Sequence, residues 1–312
     1  MKNVLVAGGN GLVGSAVLRS APTDIVIFAP LRSELDLSDK KEVGAYISRH
    51  SIDTIVMAAA KVGGILANSQ NHLNFLNENL ILQDSIFTAA YENNIENFAF
   101  LGSSCIYPKH ANQPISELEL LTGPLEETNE AYALAKIIGV KTIQYMHENS
   151  KSNYFSLMPS NLYGPNDNFN LESSHVPAAL MRKIYEAKRT QNKGYTIWGT
   201  GSVLREFLYV DDLASAIWYF INNGLAAGKI VNIGTGSDLS IFDFATLLSS
   251  VIGYSGQIEF DSSKPDGTPR KLLDVSLAKS LGWESKIELR TGLEKTYTWF
   301  VKAYEEGALR GL

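Results

Sequence analysis

NVLVAGGNGLVG, residues Asn3–Gly14, joins an apolar run to a glycine-rich turn and then to a helical pattern. The run Asn3–Ala7 is apolar after its first position, as a strand buried on both faces of a parallel sheet must be. Over Leu12–Ser20, the residues Leu12, Val13, Ala16 and Val17 form one helical face. Between these elements Gly8, Gly11 and Gly14 make G-x-x-G-x-x-G. Such a turn bends tightly, lets backbone approach a pyrophosphate and lets helix pack close to strand, with the helix N-terminus facing the anion. Glycine triplets are common, but the strand–turn–helix setting favours a dinucleotide site over a plain turn.

The alternation continues outward. Ile25–Ala29 and Thr54–Ala58 predict strands, Lys40–His50 and roughly 71–93 predict helices, and Phe98–Leu101 predicts another strand. Glu130–Asn149 predicts a helix, and Tyr154–Met158 a strand ended by Pro159. After residue 160 the texture changes. Asn161–Ser174 (NLYGPNDNFNLESS) predicts a loop by its turn residues. A helix at Val176–Arg189, a short strand at Tyr195–Trp198 and a returning strand at Ile230–Ile233 follow. The expected fold is α/β: a Rossmann-type doubly wound parallel sheet with a smaller, discontinuous α/β substrate-binding domain. The cofactor domain is expected over 1–160 plus roughly 205–235, and the substrate domain over roughly 161–204 and 236–312.

Composition narrows the class without naming a chemistry. The 312 residues carry 27 basic and 33 acidic side chains, a net charge of −6, so there is no basic footprint for nucleic acid. One cysteine cannot form an internal disulfide, which fits a reducing compartment. No apolar run nears the ~20 residues of a membrane span, and no secretory h-region follows Lys2. A soluble, cytoplasmic protein is expected, and no metal site is expected.

Two clusters carry chemistry. Tyr132 and Lys136 (YALAK) stand four apart on one helix face. An ammonium beside a phenol is expected to favour the phenolate and bring tyrosine toward acid–base work. Ser103 lies in Gly102–Pro108 (GSSCIYP), directly after a strand, where open α/β sheets bind their ligands. A serine there can donate to a substrate carbonyl that the tyrosine protonates. Cys105 lies two residues on, so an extended segment would turn both side chains the same way; the alternative is a buried small hydrophobe. His175, before the 176–189 helix, is either structural or a general acid. The second strand ends Ala29-Pro30-Leu31-Arg32 with no carboxylate to accept from a ribose hydroxyl. Arg32 is therefore a candidate partner for a 2′-phosphate, pointing to NADP(H), against a solvated loop charge.

The order of glycine turn, serine and Tyr/Lys helix resembles the short-chain dehydrogenase/reductases. GSSCIYP, with Ala58–Ile65 (AAAKVGGI), Asn161–Phe169 (NLYGPNDNF), Arg205–Asp212 (REFLYVDD) and Lys264–Asp274 (KPDGTPRKLLD), is similar in order and spacing to the GDP-L-fucose synthase family, over nearly the whole chain. That resemblance implies Ser103, Tyr132 and Lys136 as the reductase set, with Cys105 and His175 as base and acid of two epimerisations. It implies cofactor contacts at Gly8, Gly11, Leu12, Val13, Gly14, Arg32, Ala58, Ala60, Leu101 and Gly102. Further cofactor contacts are implied at Tyr132, Lys136, Pro159, Asn161, Leu162 and His175. It places Lys183, Trp198, Arg205, Asp266 and Lys271 on the GDP-sugar. The implied activity is C3/C5 epimerisation of a GDP-4-keto-6-deoxy-sugar followed by NADPH-dependent C4 reduction, in a homodimer. Asn10 stands where related bacterial enzymes carry an arginine, leaving Arg32 more of the 2′-phosphate discrimination. Sister enzymes acting on GDP-colitose precursors or GDP-heptoses fit the same strings. A cofactor-binding regulatory protein is disfavoured by the intact Ser/Tyr/Lys trio.

Overall fold

In the computed structural model, residues 2–264 and 266–311 are described; Pro265 of the KPDGTPRKLLD string and the two end residues lie outside them. The first half alternates β1 (Lys2–Ala7), α1 (Leu12–Arg19), β2 (Ile25–Phe28), α2 (Lys40–Arg49) and β3 (Thr54–Met57). It continues through α3 (Ile65–Gln70), α4 (His72–Glu92), β4 (Asn97–Leu101), α5 (Glu130–Ser150) and β5 (Asn153–Pro159). Then come β6 (Asn161–Tyr163), α6 (Val176–Arg189), β7 (Gly194–Trp198), β8 (Leu204–Tyr209), α7 (Val210–Asn223) and β9 (Ile230–Ile233). The chain closes with β10 (Asp238–Ser240), α8 (Ile241–Ile252), β11 (Gln257–Asp261), β12 (Arg270–Lys271), α9 (Ser276–Ser280) and α10 (Leu289–Glu305).

Six parallel strands form the central sheet in the order β2-β1-β3-β4-β5-β9. The Rossmann-type α/β architecture expected from the alternation is present. Successive side chains of β1 point to opposite faces, and both faces are covered. Leu5, Ile55 and Phe98 enter the core under α2, α4 and α5, whereas Val4, Val56 and Ala99 enter the core under α1 and α7. Burial on both sides explains why these strands read as continuous apolar runs. The chain leaves β1 for β2 on one side and returns to β3 on the other, so a crevice opens at the carboxyl ends of β1 and β3.

One stretch departs from expectation. Asn161–Ser174 is not a loop throughout, because Asn161–Tyr163 pair in parallel with Phe207–Tyr209 of β8. The helix expected over roughly 71–93 is α4, His72–Glu92, and the short helix α3 precedes it across Asn71.

The remaining elements build a second layer on the first. Strand β8 also pairs with β10 and β12, β7 pairs with β11, and α6, α8 and α10 enclose a separate apolar core around Phe169, Phe244 and Phe300. Two buried carboxylates stitch the layers together. Glu206, wholly inaccessible, accepts from the backbone N–H groups of Thr235, Gly236 and Leu273 at 2.6, 2.7 and 3.0 Å. Asp212 accepts from the backbone of Lys286 and Ile287, joining α7 to the approach to α10. Burial pushes the Glu206 carboxyl up, while its backbone donors pull it down.

Glu206→Gln replaces one accepting oxygen with an N–H2 group, which must confront a backbone donor. The expected loss is about 2–4 kcal/mol. Equilibrium urea denaturation measures it, and a loss within error would mean that this junction carries no net stability.

Candidate active site

The glycine turn fits its anticipated task by packing. Gly8 has φ +89°, and a β-carbon there would lie 2.7 Å from Ala59 N. At Gly14 a β-carbon would lie 2.1 Å from the Gly8 carbonyl oxygen, so only glycine lets α1 sit this close. Ala58 N–H donates to Ala7 carbonyl at 2.9 Å, which sets the loop of Ala58 and Ala60 beside the turn. No side chain caps the first turn of α1, at Leu12 and Val13, and no acidic residue lies within it. That helix end can take an anion. Gly9 abuts Ala29 at the tip of β2, and Arg32 is exposed just beyond.

Ser103, Tyr132 and Lys136 come together where β4 ends and α5 begins. The Tyr132 phenol lies near enough to the Ser103 hydroxyl to be influenced by it. Lys136 is buried, donates to the Leu101 carbonyl at 2.7 Å, and lies 5.8 Å from the Tyr132 ring centroid. Gly102 has no room for a side chain, since a β-carbon would meet Met158 at 2.2 Å; its N–H donates to Leu157 and holds the β4 end against β5. The expected phenolate-favouring effect of Lys136 is overridden. Burial, with Cys105 adding to it, holds the Tyr132 phenol well above the ordinary range, the Ser103 hydroxyl opposing. Burial also brings the Lys136 ammonium down to about 7. At neutral pH Tyr132 therefore keeps its proton and can act as a donor.

Cys105 corrects another expectation. Ser104–Ile106 is a tight helical turn rather than extended chain, because the Ser103 hydroxyl accepts from Cys105 N–H at 3.2 Å and caps it. Cys105 still reaches the same place. Its sulfur accepts from Asn129 Nδ2 at 3.3 Å and stands 3.8 Å from Lys271 Nζ. Asn129 was invisible to motif reading, where it looks like an ordinary helix-capping residue.

His175 arrives separately, as the N-terminal flank of α6. The residue is exposed at the surface, yet burial of the ring by surrounding protein holds its imidazole below the ordinary range. Among the described residues no hydrogen bond joins it to the Ser103 cluster. Pro159 ends β5, and Asn161 and Leu162 follow at once, Asn161 Nδ2 donating to the Glu206 carbonyl at 2.7 Å. The second layer carries the other anticipated residues. Trp198 is 42% exposed, with Lys183 and Lys264 each 5.4 Å from its ring centroid. Asp266 spends both carboxylate oxygens on Thr200, at 2.7 and 3.0 Å. Arg205 and Lys271 are partners in the β8–β12 register, which sets them next to each other.

Known proteins of similar sequence and fold place the chain in a family. The model of the NAD dependent epimerase/dehydratase family matches residues 4–234. The chain is similar to GDP-L-fucose synthase of Sinorhizobium fredii, at 46% identity over 96% of each chain. It is also similar to GDP-L-colitose synthase of Yersinia pseudotuberculosis, at 40% identity over 96% of this chain and 97% of that one. Among solved structures, a GDP-mannoheptose C4 reductase from Campylobacter jejuni with NADP bound superimposes with a TM-score of 0.85, at 30% identity, covering 96% of this chain and 98% of that one. The chain belongs to the NAD dependent epimerase/dehydratase family, in the branch that contains the GDP-L-fucose synthases.

Proposed function

We propose that this protein converts GDP-4-keto-6-deoxy-D-mannose to GDP-L-fucose, epimerising C3 and C5 and then reducing C4 with NADPH. The observation that carries the reading is the meeting of Ser103, Tyr132, Lys136 and Cys105 at the carboxyl ends of the central strands. A reductase needs the first three; a thiol beside the ketone-binding pair adds a base for the neighbouring carbons. The uncapped first turn of α1 and its glycines suit a dinucleotide pyrophosphate. Leu12, Val13, Ala58, Ala60, Leu101 and Gly102 would line it. Pro159, Asn161, Leu162 and His175 would face its nicotinamide end, and Arg32 its 2′-phosphate. When bound, the nicotinamide supplies the hydride for C4.

The chain's own residues do the rest. A C4 ketone acidifies the protons on C3 and C5, because the enolate places charge on oxygen. Ser103 and the protonated Tyr132 donate to that oxygen. Cys105 takes the proton from carbon, and His175 returns one to the opposite face, inverting the centre. Tyr132 finally gives its proton to the C4 oxygen. Lys183, Trp198, Arg205, Asp266 and Lys271 form the GDP-sugar side, with arginine suited to phosphate. The cofactor domain comprises 1–160 with roughly 205–235, and the GDP-sugar domain the remaining segments. A reactive thiol at the site suits the reducing cytoplasm.

The same family contains a colitose synthase and a heptose reductase. Incubation with GDP-4-keto-6-deoxymannose and NADPH in heavy water distinguishes them. The expected product is GDP-L-fucose with deuterium at C3 and C5. Reduction without carbon deuteration would indicate a simple C4 reductase, and preference for a 3-deoxy analogue would indicate the colitose branch. Tyr132→Phe is expected to slow C4 reduction by about 10²–10⁴-fold while NADPH affinity, read by fluorescence, stays within about threefold; reduction near the parent rate would remove Tyr132 as the acid.

A homodimer is supported by exposed apolar side chains on the two long helices. Leu134, Ile138 and Tyr145 project from α5, and Leu73, Ile81 and Tyr91 from α4. Sedimentation is expected to give twice the 34.2 kDa chain mass, reverting to one chain for an Ile138→Glu/Tyr145→Glu variant. A monomer in the parent would remove these helices as an interface.

A further inference from the structure

We propose that Asn129 and Lys271 are positioning residues that hold the Cys105 sulfur as a thiolate for proton abstraction. The proposal rests on the reading of Cys105 as the epimerisation base.

Asn129 occupies the N-cap of α5, where an asparagine ordinarily accepts from a first-turn N–H. Its side chain makes no such bond. Its Nδ2 instead donates to Cys105 Sγ at 3.3 Å, and its buried Oδ1 has no partner among the described residues. A residue that forgoes its local structural bond and leaves an acceptor unsatisfied is held for the site rather than for the helix. Three residues later, α5 presents Tyr132, so sulfur and phenol are indexed to one helix end.

Lys271 approaches from β12, with Nζ 3.8 Å from the sulfur. Its backbone is clamped on both flanks. Arg270 is bound through two nitrogens to Asp238, at 2.6 and 3.2 Å, and Leu272 N–H donates to Gln113 Oε1 at 2.9 Å. Arg205, the register partner of Lys271, and Tyr132 are close enough to sense charge on the sulfur. The Lys109–Glu126 pair, at 3.1 Å, lines the same cleft and cancels within itself. The sulfur thus has two donors, the Lys271 ammonium and the Asn129 amide, and donors of this kind stabilise an anionic sulfur as it acts as a base.

The thiol proton leaves to solvent. The sulfur lone pair then forms an S–H bond as a C–H bond next to the ketone breaks. That bond's electron pair moves to the ketone oxygen, where Ser103 and Tyr132 donate to it. Nothing is oxidised or reduced in this step.

The protein has one cysteine, so iodoacetamide alkylation followed by intact mass reports Cys105 alone. At pH 7, Lys271→Met is expected to alkylate about tenfold more slowly than the parent and Asn129→Ala about threefold more slowly, both gaps closing by about pH 10. Lys271→Arg is expected to restore the parent rate. In heavy water, Asn129→Ala is expected to lower kcat for C3/C5 exchange about tenfold more than it lowers hydride transfer from GDP-L-fucose to NADP⁺, with the exchange optimum moved to higher pH. Alkylation profiles unchanged in both variants would overturn the proposal. A raised KM for Lys271→Met with an unchanged profile would also overturn it, reducing Lys271 to a substrate contact. Absence of carbon exchange in the parent would sink the base reading itself, while the alkylation profiles judge the Asn129–Lys271 pair independently.

Discussion

The approach of α1 to the turn after β1, which no side chain at Gly14 would permit, is the contact around which the rest is arranged. It sets the helix end beside the carboxyl ends of β1 and β3, where the chain reverses its direction across the sheet. Once that crevice is fixed, β4 and β5 must end on the same rim, because all six strands are parallel. Ser103 follows β4, and Asn161 follows β5. The loops that carry chemistry are therefore gathered by the sheet and not by proximity in sequence.

The site is assembled from groups that resist burial. Lys136 is almost wholly inaccessible and retains one carbonyl partner, so its ammonium is drawn toward neutrality. Tyr132 is driven the other way and keeps its proton. Both shifts have the same origin, the removal of water from charged forms. The outcome is a tyrosine prepared to give a proton, which is what reduction of a ketone asks of it. Glu206 shows the same economy in a structural setting: a buried carboxylate tolerated because backbone donors converge on it from two other segments. It stands directly beside Arg205, so the junction that joins the two layers also orients one wall of the cleft.

Much of this was legible beforehand because it depends on short-range spacing. Short continuous apolar runs located the central strands and the 3.6-residue period the helices, and the four-residue step from Tyr132 to Lys136 placed both on one face of α5. Expectation failed where local chemistry competed with pattern. Ser103 caps the turn after β4, so Cys105 reaches the site through a helical turn and not by strand alternation. Tyr163 ends a strand inside a stretch whose Asn, Gly and Pro content reads as loop, because β8 supplies a pairing edge from forty residues away. The direction of the Tyr132 shift was misjudged for a related reason: spacing measures how near Lys136 can come, and burial decides what that nearness is worth.

The sequence by itself determined the α/β class, the glycine turn, and the Ser103, Tyr132, Lys136 and Cys105 set, since each is written within a few residues and obeys local geometry. Only the tertiary structure decided that Lys271, more than a hundred and sixty residues from Cys105, stands within 3.8 Å of its sulfur. It likewise decided that Asn129 abandons its helix cap to face that sulfur. Such pairings arise when strands return to a sheet edge and bury what they carry, and no period in the chain encodes which distant residue will be waiting there.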